Sequence, residues 1–217
     1  MLVCENLSIK LANNDYCHQV SFNLLPGAIL YVIDDSRPRV EGFLDVITGH
    51  NKPISGNVKF QARKIKDIYS YGLDLHYAAP DMKFHEDVAE EFLLNQAAAT
   101  DTQLLLDSAL HYFSIEDLLE KKIRDLTIRE RKLLLLAQLL IAPRKFWILD
   151  DMFTDLNESE VIQLKNLISI RSRDGGVVIL SGKKQEIIPN CYPIYLQDYC
   201  NDKIPVRKFW WQILTRK

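Results

Sequence analysis

Residues 28–49 read AILYVI-DDSRPRV-EGFLDVITG, and this stretch decides the fold. Six apolar residues in a row are too few for a buried helix and suit a strand covered on both faces. Gly49 closes the stretch and the apolar spacing before it predicts a helix over 41–47. A strand, a short link and a helix in this order form the basic unit of an α/β domain, in which ligands gather at the carboxyl ends of strands and helix N-termini favour anions. A phosphate-binding loop here requires G-x-x-x-x-G-K-[ST]: glycines let backbone N–H groups curl around phosphate, the lysine neutralises charge and the hydroxyl holds Mg²⁺. None of these is present. There is no glycine between Gly27 and Gly42, Pro38 removes an N–H, and Asp34, Asp35 and Glu41 place negative charge in the loop. Arg37 and Arg39 leave two readings open, a solvated connecting loop or an anion grip of another kind.

Outward from this unit, residues 2–11 and 17–25 read as strands, the second ending at the Pro26-Gly27 turn, and 57–60 as another after Ser55-Gly56. The middle is helical, over 87–99 and 101–122 by apolar spacing. Thr127-x-x-Glu130 is a capping box that opens a strongly apolar helix over 128–141, stopped by Pro143. FWIL (146–149) is a buried strand ending in Asp150 and Asp151. Asn157 and Glu160 start a helix running to about 171, and Gly175-Gly176 leads into VVILS, with a further strand over 192–196. Buried strands alternating with helices predict an α/β fold with a mostly parallel core sheet, an N-terminal antiparallel β part and an inserted helical lobe at about 85–142.

The composition fits this. The chain has 217 residues, 47% hydrophobic and 26% charged, enough for a sizeable core. A formal net charge of −2 argues against a dedicated nucleic-acid binder. The four cysteines, Cys4, Cys17, Cys191 and Cys200, form no C-x-x-C pair and suggest neither a zinc site nor a disulfide framework, hence a reducing compartment. The longest apolar stretch, 133–142, is broken by Gln138 and falls short of the roughly 20 residues of a membrane span. With Glu5 and no basic segment ahead of an apolar run, the N-terminus does not read as a secretory signal. The expected location is the cytoplasm, peripheral on the inner face of the cell membrane. Residues 201–217, NDKIPVRKFWWQILTRK, carry five basic residues against one acid, so a total of −2 conceals a tail at +4 and a remainder at −6. Phe209, Trp210 and Trp211 beside these bases suit either packing on the domain or a membrane interface.

Two further constellations bear on chemistry. An acid ending an apolar strand, as Asp150 does, either positions a carboxylate for Mg²⁺ or merely ends the strand. Glu130 adds negative charge at a helix N-terminus, which makes that end a poor place for phosphate.

Taken in order, LLPGAILYVI, VITGHNKPISGNVKF, SALHYFSIEDLLEKKIRDLT, FWILDDMFTDLNESE and DGGVVILSGKKQE resemble the ATP-binding-cassette ATPases, in particular the small ATP-binding subunits of haem exporters in cytochrome c maturation. The resemblance covers residues 1–198, leaving 199–217 as a basic aromatic tail. It implies a P-loop-type α/β cassette, ATP and Mg²⁺ as ligands, a membrane channel subunit as partner and pairing of two cassettes. It also places this chain's departures. Asp34 and Arg39 stand at glycine positions of the phosphate loop, Val40 at its lysine and Glu41 at its hydroxyl, while Arg37 lies between them. Ala79 takes a glutamine position. Leu126, Thr127, Arg129 and Glu130 fall on the signature sequence, with arginine in place of glycine. Asp150 keeps the Mg²⁺-binding acid, Asp151 shortens the general base, Asn157 replaces an aspartate and Lys183 a histidine. Phosphoryl transfer rests on positioning and charge stabilisation, so these departures predict little or no ATP hydrolysis. Three functions stay open: an ATP-binding transporter subunit, a non-catalytic partner of a membrane transporter or of an intact cassette, and a free-standing anion binder using Arg37 and Arg39. No residues are assigned as metal ligands.

Overall fold

The computed structural model describes residues 1–11, 15–183 and 186–200. The tail reading at 201–217 lies outside the described residues.

The AILYVI run becomes β3 (Ile29–Ile33), with all five residues buried. It lies inside a five-stranded parallel sheet that also contains β6 (Leu75–Ala78), β7 (Phe146–Asp150), β8 (Val177–Gly182) and β9 (Cys191–Tyr195). Among the described residues the order is β6-β7-β8-β3-β9. Side chains alternate across a strand, and the alternation builds two cores. Ile29, Tyr31, Trp147, Leu149, Val178 and Leu180 face one, with helices α2 (Ala89–Thr100), α3 (Leu106–Phe113), α4 (Ile128–Ile141) and α5 (Glu158–Arg173). Leu30, Val32, Phe146, Ile148, Val177 and Ile179 face the other. That second core is closed by helix α1 (Arg37–Thr48) and an antiparallel sheet. The antiparallel sheet has the order β2-β1-β4-β5, from β1 (Leu2–Lys10), β2 (Tyr16–Leu24), β4 (Ser55–Phe60) and β5 (Arg63–Lys64).

Three expectations need correction. Helix α1 begins at Arg37, not Glu41, so Arg37, Pro38, Arg39 and Val40 are helical and only Asp34–Ser36 link it to β3. Pro38 falls in the first turn, where its missing N–H has no intrahelical partner to lose. Gly49 ends the helix at φ +85, where a Cβ would sit 2.5 Å from the Asp67 carbonyl carbon. Second, the helix expected over 101–122 is only α3. Ser114 turns left-handed at φ 53, and the chain continues through 3-10 turns at Glu116–Leu118 and Ile123–Asp125. Ile115, Leu118 and Ile123 are all buried in the helical core. Third, Cys17 and Cys200 form a disulfide across 183 residues of sequence. The 3-10 turn Leu196–Tyr199 packs against β2, which brings the two together. Distance along the chain carried no information about that contact. β5 and β6 were not expected; both are too short to carry a pattern.

Candidate functional site

The predicted residues at 34–41 and at 150–151 meet where β3, β7 and β8 end. Asp34 immediately follows β3. Its carboxylate accepts a hydrogen bond from the Ser36 backbone N–H at 2.7 Å, folding the link into a tight turn that launches α1. Arg39, one turn into the helix, donates from Nη1 to both Asp34 oxygens at 3.3 Å and from Nε to Asp15 at 2.7 Å. The hydrogen bond with Asp15, aided by Asp34 and opposed by burial, raises the Arg39 pKa. Val40 is buried in the second core.

Arg37 is the centre of the arrangement. Nη1 donates to Asp150 Oδ1 at 2.7 Å, Nε donates to Glu41 at 2.8 Å, and Nη2 lies 3.7 Å from Asp81. Burial works against its charge, but Asp150, Glu41 and Asp81 outweigh that and its pKa rises. Asp150 ends β7 with a side chain wholly removed from solvent. Its Oδ1 also accepts from the Ser181 hydroxyl on β8, whereas Oδ2 has no partner. Burial raises the Asp150 pKa, with Ser181 and Arg37 opposing. Asp151 has φ 51. Its N–H donates to Ser181 Oγ at 3.2 Å and its carboxylate accepts from Thr154 Oγ1 at 2.7 Å, so it holds the turn after β7. Lys183 is exposed and lines the same small space as Asp34, Arg37, Val40 and Asp151.

The structure places both arginines on a helix rather than in a loop. Each guanidinium is bound to carboxylates of its own chain. The space left among Asp34, Arg37, Val40, Asp151 and β8 is about 40 Å³. That suffices for a water or two; small-molecule sites span about 300–1,000 Å³. Nor do these groups make a cation cage. Glu41, which shares Arg37 with Asp150, faces a fixed positive charge, and no cluster of three metal-ligating side chains occurs among the described residues.

The residues at 126–130 form a separate group at the start of α4. No hydrogen bond or ion pair among the described residues joins it to the first. Leu126 is buried. Thr127 caps the helix: its Oγ1 accepts from the Glu130 N–H, while Glu130 Oε2 accepts from the Thr127 N–H at 2.8 Å. Lys121 donates to Glu130 at 2.7 Å. The bond from Lys121, with those from Thr127, pulls the Glu130 pKa down to about 2. Arg129 pairs with Glu160 through both Nε and Nη2, and Glu160 is itself the capping-box acid of α5 opposite Asn157.

Sequence reasoning missed Asp15, Asp81, Ser181, Lys121 and Glu160 as partners. It also missed Lys132, 1% exposed, whose Nζ donates to the Thr154 carbonyl and to Asp155. A lysine just ahead of four leucines was the available signal for a buried cation in need of partners.

A parallel sheet flanked by a helical layer, an antiparallel sheet at its N-terminal side, and an acid closing a buried strand beside a strand-to-helix link together define an ATP-binding-cassette scaffold. The ABC transporter family model matches residues 42–154, just over half of the chain, and the chain belongs to that family. The match begins one residue past Glu41. The cytochrome c biogenesis ATP-binding export protein of Rickettsia typhi is 25% identical over 207 residues, covering 91% of this chain and 99% of its own. The lipoprotein-releasing system ATP-binding protein of Buchnera aphidicola is 23% identical over 190 residues, covering 80% of this chain and 83% of its own. Among solved structures, a putative ABC transporter ATP-binding protein from Pyrococcus furiosus superposes with a TM-score of 0.76 at 17% identity, over 92% of this chain and 99% of that one. A dimeric cassette bound to ADP and phosphate superposes at 0.70 and 14% identity, over 85% of this chain and 88% of that one.

Proposed function

We propose that this chain is a non-catalytic cassette of an ABC transporter assembly, in which the protein's own Arg37 stands as the counter-cation of Asp150 where the family's pattern has a metal ion. The observation that carries the reading is the Arg37–Asp150 ion pair at 2.7 Å beside a space of about 40 Å³. On the family's pattern Asp150 is the acid that serves Mg²⁺. Here its counter-charge is covalently part of the chain and always protonated. Val40 supplies no charge where the pattern has lysine, and Glu41 supplies an acid where it has a hydroxyl. At the other motif Arg129 and Glu130 replace glycine and an amide with an ion-paired, negatively capped helix start. Each loss removes positioning or charge stabilisation, the two aids on which phosphoryl transfer rests.

What the family retains without hydrolysis is a shape that docks on a membrane subunit and pairs with a second cassette. The likeness to cytochrome c biogenesis export proteins over nearly the whole chain favours an exporter of that kind, with this chain on the cytoplasmic face as a structural or regulatory partner. We assign residues 1–198 to the cassette and about 85–142 to its helical lobe.

The test is phosphate release from the purified full chain with Mg-ATP at millimolar concentration. Release no faster than buffer is expected; turnover near about 1 s⁻¹, the low end of ordinary enzymes, overturns the proposal. Co-purification with a membrane channel subunit tests the docking half.

A further inference from the structure

A second cavity, of about 740 Å³, shares no lining residue with the first. It arises where two strands part. β4 pairs with β1 along most of its length, but with β5 only at Lys59–Lys64 and Phe60–Arg63. After the Ile65 N–H bonds to the Val58 carbonyl, the chain leaves the ladder. The Lys66 N–H goes to Ser70 Oγ, and Asp67 caps the 3-10 turn Ile68–Asp74. The cleft so opened has the volume of a small-molecule site.

Its floor is backbone. Gly56 lies at φ +84, and a Cβ there would come within 2.4 Å of the Glu5 and Asn6 carbonyl oxygens, so the chain passes too close for any other residue. Its walls carry Lys52, Lys64 and Lys66. Among the described residues none of these three ammonium groups is ion-paired. The single acid in the lining, Asp67, is held by the Ser70 N–H and hydroxyl at 2.9 and 3.0 Å. Ser55 and Asn57 add neutral donors to the floor. Residues 1–200 carry a net charge of −6, so three unpaired lysines around one cavity run against the sign of the body that holds them.

We propose that this cleft binds a phosphate-bearing ligand of small-molecule size. Three separate point charges around one cleft, with Ser55 and Asn57 beside them, match the several oxygens and multiple negative charges of a phosphate ester. A lone carboxylate would leave most of them unmatched. The cleft belongs to the antiparallel sheet, independently of the fate of the nucleotide site.

The experiment is titration calorimetry of the full chain with inorganic pyrophosphate. Binding is expected, and weakened by about a hundredfold or more when Lys52→Gln, Lys64→Gln and Lys66→Gln are combined, since each lost charge-assisted bond is worth about tenfold. A variant with Lys83→Gln, Lys122→Gln and Arg124→Gln removes the same charge elsewhere. If it weakens binding equally, the attraction is diffuse and the proposal falls; absence of pyrophosphate binding to the wild type also overturns it. Sedimentation with phosphatidylcholine–phosphatidic acid vesicles, lost in the cleft variant and competed by pyrophosphate, identifies a lipid headgroup as the source. Pyrophosphate binding without such sedimentation identifies a free phosphate ester.

Discussion

Arg37 and Arg129 each clasp a carboxylate at the start of a helix, yet the two pairs live under opposite physics. At the first, Asp150 sits at a strand end with no backbone donor, one oxygen unpartnered, and its pKa pushed up by burial. At the second, the carboxylates of Glu130 and Glu160 accept the backbone N–H groups of their own capping boxes. Lys121 then draws the Glu130 pKa down to about 2. Hydrogen bonding to the charged form, more than the presence of an arginine, decides which acid is at ease. The first pair is an enclosed charge that requires its partner; the second reinforces two helix starts that are already satisfied.

The largest effect follows from that difference. Arg37→Ala leaves the Asp150 carboxylate buried alone, and breaking such a pair costs about 3–5 kcal/mol. Arg37 is 36% exposed, which places the loss near the lower end. Arg129 is 46% exposed, so Arg129→Ala is expected to cost about 1 kcal/mol or less. Urea denaturation of both variants at neutral pH measures the gap, and equal losses would break the distinction. Combining Arg37→Ala with Asp150→Asn is expected to recover much of the first loss, because no unpaired charge remains.

Acid sharpens the contrast, because the two acids respond with opposite sign. Glu130, lowered from 4.5 to about 2, contributes stability that is present above pH 4.5 and lost as pH falls toward 2. Its partly exposed position limits the contribution to about 1 kcal/mol. Stability of Glu130→Gln should therefore trail the wild type at neutral pH and converge with it near pH 2. Asp150 is raised from 3.8, so its contribution is present below 3.8 and disappears as pH rises through its folded value. Relative to the wild type, Asp150→Asn should gain as pH rises across that window. Thermal melts from pH 2 to 7 give both slopes; parallel behaviour would remove the basis for treating the sites as opposites.

How much of this could be read in advance depended on distance along the chain. The buried strands at 29–33, 146–150 and 177–182 and both capping boxes were legible, since each is a pattern within a few neighbouring residues. The start of α1 was misplaced because Pro38 reads as a loop residue unless it sits in a first turn. The order of the motifs placed residues 34–41 near 150–151, but the pairings among them were not legible. Arg37 meets Asp150 across 113 positions, Arg39 meets Asp15 across 24, and Arg129 meets Glu160 across 31. Only the folded chain reveals that the charges cancel one another. The disulfide was hidden for the same reason.

The smallest expected effect tests whether the second region is as self-sufficient as its geometry implies. Thr127→Ala removes one side-chain acceptor from the Glu130 N–H, a loss of about 1 kcal/mol in most helices. At α4 the Thr127 N–H still has Glu130, Glu130 still has Lys121, and nine residues of the helix remain buried. Asn157→Ala at α5 is the matched case, with two bonds from Arg129 on Glu160 where one from Lys121 stands on Glu130. If the cap alone sets the cost, the two variants lose the same stability by urea denaturation. If the Arg129–Glu160 pair supports the start of α5, Asn157→Ala loses less, and adding Arg129→Ala restores the full loss. That outcome would show the second arginine stabilising a helix start, while the first balances a buried charge.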